Sequence, residues 1–198
     1  MTYNVMGPHG PVHIGQDHFN VVPQDGSLAI TDELHDLRGL GLVGRQWLIL
    51  STPLGVFDVI AWVDHDGAPS VDVTGALPPH VLTATFTVAT ASWQWTQDDI
   101  GSATMVQGYV GVGAPLTTHN WNVMGPPDNL VLSMPRLPPP YDDLNVEPTT
   151  GVSNVGLILY RHSGGYQRFV SDFQAEVTGA AGTAGDRLSI TVGFPVIE

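Results

Sequence analysis

The chain has 198 residues, of which 42% are hydrophobic, enough for one domain with a sizeable core. Its 19 acidic residues outnumber 6 basic ones, all arginine, and the net charge of −13 works against nucleic acid and anionic lipid, which are bound chiefly through lysine and arginine. With no cysteine, disulfides and thiol chemistry are excluded. No apolar run approaches the ~18 residues of a membrane-spanning helix, and the opening MTYNVMGPHG lacks the basic-then-apolar layout of a signal peptide, so a soluble, unprocessed chain is expected.

Residues 1–17 are rich in glycine and proline and predict a flexible N-terminal arm. The remainder, 18–198, predicts a single β-domain. Short strands are expected at 18–22 and 27–30, followed by a two-turn helix capped by Thr31 or Asp32 and stopped by Gly39. Apolar strands at 46–50 and 56–63 carry Trp47 and Trp62 as packing residues, and a further short strand is expected at 71–74.

The longest regular alternation lies in Val81 to Trp95. Leu82, Ala84, Phe86 and Val88 share one parity, with Thr83, Thr85 and Thr87 on the other; after Val88 the apolar positions move to Ala91, Trp93 and Trp95. The parity change predicts one long strand with a bulge or bend near Ala89. The strand at 104–112 is expected to return antiparallel to it. Beyond Gly113 the prolines multiply, with a strand at 130–134 and a proline-rich excursion at 135–150 that contains Pro138-Pro139-Pro140-Tyr141-Asp142-Asp143. A second hairpin is expected from 155–160, a Ser163-Gly164-Gly165 turn and 166–177, and an alternating strand at 188–194 builds the end of the chain into a sheet. The segment Tyr3-Asn4-Val5-Met6-Gly7-Pro8 is echoed by Trp121-Asn122-Val123-Met124-Gly125-Pro126; the flanks diverge at once, which favours similar strand corners over duplication.

These elements add up to an all-β chain, an antiparallel, jelly-roll-like β-sandwich of about ten strands with one short helix. Motifs that carry chemistry are missing. His9, His13, Asp17 and His18 match no zinc spacing, and Asp64-His65-Asp66-Gly67 lacks the later acids of a calcium loop. There is no Gly-x-Ser-x-Gly elbow, and the paired acids Asp98-Asp99 and Asp142-Asp143 fall in turns. The expectation is a non-enzyme without metal or cofactor. Trp121, Pro138, Pro139, Pro140 and Tyr141 are the candidate subunit or ligand contacts.

In strand number, size, acidity and absence of lysine the chain resembles the single jelly-roll capsid proteins of tailless icosahedral viruses of halophilic archaea. The resemblance implies a virion-located structural subunit, whether coat, decoration or tail, that forms homo-oligomers, contacts other virion proteins, and neither binds nucleic acid directly nor inserts into a membrane. Salt adaptation and GC-rich codon usage both account for the missing lysine. The alternative is a carbohydrate- or receptor-binding β-module working through exposed aromatic residues.

Overall fold

A computed structural model describes residues 2–7, 10–16, 43–52, 55–64, 78–99, 101–113, 119–147, 151–177 and 187–198, the stretches up to residue 64 as backbone paths only. The chain is mostly β, with twelve strands and one α-helix among these residues. An eight-stranded sheet contains β1 (Thr2–Gly7), β2 (Gly10–Gln16), β3 (Val43–Thr52), β4 (Gly55–Asp64), β7 (Met105–Val112), β8 (His119–Gly125), β10 (Val152–His162) and β11 (Arg187–Gly193). Their order is β2-β1-β3-β4-β11-β10-β7-β8, and every neighbouring pair is antiparallel. A four-stranded sheet holds β5 (Val81–Thr87), β6 (Ser92–Gln97), β9 (Val131–Ser133) and β12 (Val196–Ile197) in the order β12-β5-β6-β9.

The segment expected as one bent strand is a hairpin. β5 and β6 are joined by a single 3₁₀ turn at Val88–Thr90, and Ala91 closes it in the left-handed region with φ 47° while its N–H donates to the Val88 carbonyl at 3.1 Å. Four linking residues put Thr87 opposite Ser92, so Phe86 faces Trp93 and Ala84 faces Trp95. Cross-strand partners share a face. The change of parity is therefore the mark of a reversal rather than a bend. A register shift between Val81 and Thr83 turns Leu82 outward, away from the buried face to which its parity assigns it.

The four-stranded sheet lies over one face of the larger one. Ala84, Phe86, Trp93, Trp95 and Leu132 share a core cluster with Val106, Val110, Val112, Leu157 and Leu159. The approach is close where the large sheet carries glycine: a Cβ on Gly108 would stand 2.6 Å from the Trp93 ring, and one on Gly193 would stand 2.7 Å from Val81. β7 thus belongs to the sheet opposite the β5–β6 hairpin, between β10 and β8, and does not pair with β5 or β6 as expected.

The other face of the large sheet carries the helix. α1 (Gly165–Val177) replaces the second strand of the expected hairpin, because Tyr166, Phe169 and Phe173 recur at helical spacing rather than alternating. Phe169 is fully buried against Met105, Tyr160 and Leu188, with Tyr166, Phe173, Ile158 and Ile190 around them. The ring of His162 stacks on that of Phe169, centroids 5.2 Å apart and planes 8° from parallel. With cover on both sides, β11 buries Leu188, Ser189 and Thr191 alike.

Residues 2–16, where the sequence places an arm, follow the strand paths of β1 and β2 beside β3. The expected strands at 18–22, 27–30 and 71–74 and the helix begun at Thr31 lie outside the described residues, as do His9, Asp17, His18, His65 and Asp66. Among the described residues no helix is long and apolar enough to cross a membrane.

Candidate functional site

The expected contact residues converge on one corner of the molecule, where the proline-rich excursion meets β8. Three successive prolines have no N–H to give a ladder, so Pro138 to Pro140 cannot continue a strand and must run as loop. The loop is closed at its base by one side chain. Asn145, buried, accepts the Leu137 N–H at Oδ1 (2.8 Å) and donates from Nδ2 to the Leu137 carbonyl (3.1 Å). Between these two residues, the Tyr141 N–H donates to the Pro138 carbonyl at 3.0 Å, the Leu144 N–H to the Tyr141 carbonyl at 3.1 Å and the Asn145 N–H to the Asp142 carbonyl at 3.2 Å. Val146, next in the chain, is buried in the core. An exposed ion pair, Arg136 to Glu147 at 3.0 Å, adds little at such a surface.

This stapled base holds the tip outward. Pro138, Pro139, Pro140 and Tyr141 are all exposed, Tyr141 at 60%, and Asp142 and Asp143 stand beside them. Trp121, a candidate contact, is not free to serve as one. It lies in β8, half-buried against the core, and its indole N–H donates to the Leu144 carbonyl at 3.0 Å. Its role is to hold the far limb of the loop, not to offer a free ring. Trp93 and Trp95 are buried between the sheets and offer no aromatic face to a ligand.

Sequence reasoning missed two features of this region. The Asn145 staple spans eight residues and belongs to no short motif. A row of hydrogen bonds also crosses three strands: the Tyr160 hydroxyl donates to Gln107 Oε1 (2.6 Å), and Gln107 Nε2 donates to Asn122 Oδ1 (3.0 Å). Burial pushes the Tyr160 hydroxyl well above the usual tyrosine range.

One titratable pair has the look of a catalytic dyad. The His80 ring donates from Nδ1 to Asp98 Oδ2 at 2.6 Å. Yet the second carboxylate oxygen accepts the His80 N–H at 3.0 Å, and the Asp98 N–H donates to the His80 carbonyl at 3.2 Å. The pair clasps the open end of the β5–β6 hairpin. Among the described residues no three His, Asp or Glu side chains gather as metal ligands. What this corner can offer is a rigid apolar and aromatic contact surface, with acids at its flank. No protein-family model, no curated protein and no solved structure matches the chain.

Proposed function

We propose that the chain is a non-enzymatic structural subunit of a virus particle, acting through self-assembly and through contacts with other virion proteins. The observation that carries the reading is the stapled loop: a Pro-Pro-Pro-Tyr tip held out from the body by Asn145 and Trp121 loses little entropy when a neighbour covers it. Its surface, apolar and aromatic, suits a packed contact better than a chemical step. The assembling body in this reading is a β-sandwich of the two packed sheets. The hairpins β3–β4, β5–β6 and β7–β8 each stay within one sheet, where a jelly roll passes successive strands between sheets, so the proposal is a sandwich of simpler winding, antiparallel but for the short parallel pair β12–β5.

Sedimentation velocity at ~0.1 M and ~2 M salt tests the reading, because screening relieves the repulsion between copies of net charge −13. Rings or shells that grow with salt support a subunit. A compact monomer under both conditions rejects it and turns attention to glycan or receptor binding, for which Tyr141→Ala is the first variant, since its ring is the exposed aromatic of the loop.

A further inference from the structure

Among the described residues the two sheets present four edges, and three of them are blunted against pairing. β9 has 3 residues and β12 has 2. β2 contains Pro11, and proline within a strand belongs where the missing N–H faces away from the ladder. The fourth edge is β8, which runs for 7 residues, HNWNVMG, with no proline, lysine, aspartate or glutamate. Among the described residues its main chain bonds only to β7. Short strands, prolines and charges are the usual protection of an edge. β8 carries none of these, whereas each of the other three described edges carries one.

We infer that β8 is a pairing edge whose partner is β8 of a second copy, antiparallel across a twofold axis near Asn122, so that two eight-stranded sheets become one. Two further observations choose this occupant. A head-to-tail contact would need the β2 edge, which Pro11 interrupts, whereas an antiparallel edge is complementary to itself. The chain carries −13 overall, yet β8 has no acid to bring against its own copy. With the axis at Asn122, Asn120 stands opposite Met124 of the second copy and Trp121 opposite its Val123. This register keeps Trp121 and Val123 on the core side of the joined sheet, and Asn120, Asn122 and Met124 on the exposed side.

The contact deepens the proposed assembly role and rests on that reading. The full chain has no cysteine, so Asn122→Cys supplies a single thiol at the axis. Oxidised at a salt concentration where the native chain sediments as an oligomer, it gives a disulfide-linked dimer on a non-reducing gel, while Ser133→Cys in β9 does not. The pair Asn120→Lys with Met124→Lys sets like charges opposite each other and weakens association by at least about a hundredfold; mixing with the Asn120→Asp, Met124→Asp chain restores it. If the lysine chain melts early, the cysteine result decides alone. Oligomers that form without the Asn122 cross-link, or with the lysine pair in place, overturn the β8 contact and leave the assembly reading standing. A native chain that remains monomeric at every salt concentration overturns both.

Discussion

The packing of the small sheet on the large one turns on a glycine, and Gly108→Ala measures it. The added Cβ would stand 2.6, 2.7 and 2.8 Å from Trp93 Cδ2, Cε2 and Cε3, against ~3.5–4.0 Å for carbon atoms at rest. The indole has no room to yield, since it is fully buried and its ring lies 4.7 Å from that of Phe86. One sheet must therefore move by roughly an ångström, and overpacking of this kind costs about 1–3 kcal/mol. For a chain of this size the cost lowers Tm by about 2–4 °C for each kcal/mol. Thermal unfolding by circular dichroism reads the shift, and the increment caused by Gly108→Ala should shrink when it is measured in a Trp93→Leu background, where the smaller side chain leaves room for the methyl group. An alanine variant within about 0.5 kcal/mol of the native chain would refute the contact and, with it, the placing of β6 over β7.

Three further outcomes test other parts of the fold. The raised Tyr160 hydroxyl ionises in the unfolded chain first, so above pH ~10 the unfolded state holds fewer protons than the folded one and stability falls by about 1.4 kcal/mol per pH unit; Tyr160→Phe removes this share of the alkaline slope in urea melts run between pH 9 and 11. Phe169→Ala empties the contact between α1 and the sheet and costs about 3–5 kcal/mol in urea unfolding. Asn145→Ala leaves the Leu137 N–H and carbonyl without their partner, costs about 1–3 kcal/mol, and opens the loop at 137–145 to limited proteolysis while the hydrogen exchange of β10 is unchanged.

What could be read from the sequence was local pattern, and what could not was long-range pairing and one unusual turn. The alternation around Phe86 and Trp93 identifies a buried face correctly. Its change of parity is open to two readings, and the turn that decides between them, Val88 to Ala91, has no Gly, Pro, Asn or Asp to announce it. Its left-handed residue is an alanine, a placement that propensity rules count against. The helix α1 was legible in the spacing of Tyr166, Phe169 and Phe173, but its aromatic residues and Val170 are good strand formers and a Ser-Gly-Gly turn precedes them. No pattern in the sequence places β11 between β4 and β10, because both of its faces are covered and its alternation then carries no direction. At the candidate site the exposed Pro-Pro-Pro-Tyr run was legible from composition. Its staple was not, since Asn145 acts on a residue eight positions away and only the closed loop brings them together. The echo of β1 in β8 has a partial explanation: both are strands of the same sheet, run in the same direction and end at a glycine followed by proline.

Charge separates the two surfaces through which copies could meet. At ~0.1 M salt the Debye length is ~10 Å, so the acids beside the loop tip, Asp142 and Asp143, are felt by any acidic neighbour that the tip touches. β8 has no such residues, and pairing along it is opposed only by the overall −13. If the loop tip takes part in assembly, Asp142→Asn with Asp143→Asn lowers the salt concentration at which oligomers appear, because two charges leave the contact itself. The same change made at Asp98 and Asp99, at the far end of β6, alters the net charge equally and serves as the control, read beside its effect on the His80 clasp. A salt midpoint that moves equally in both chains assigns the repulsion to net charge alone and removes the Pro138–Tyr141 tip from the contact. A midpoint that moves only with Asp142 and Asp143 places the tip within a Debye length of a neighbouring subunit.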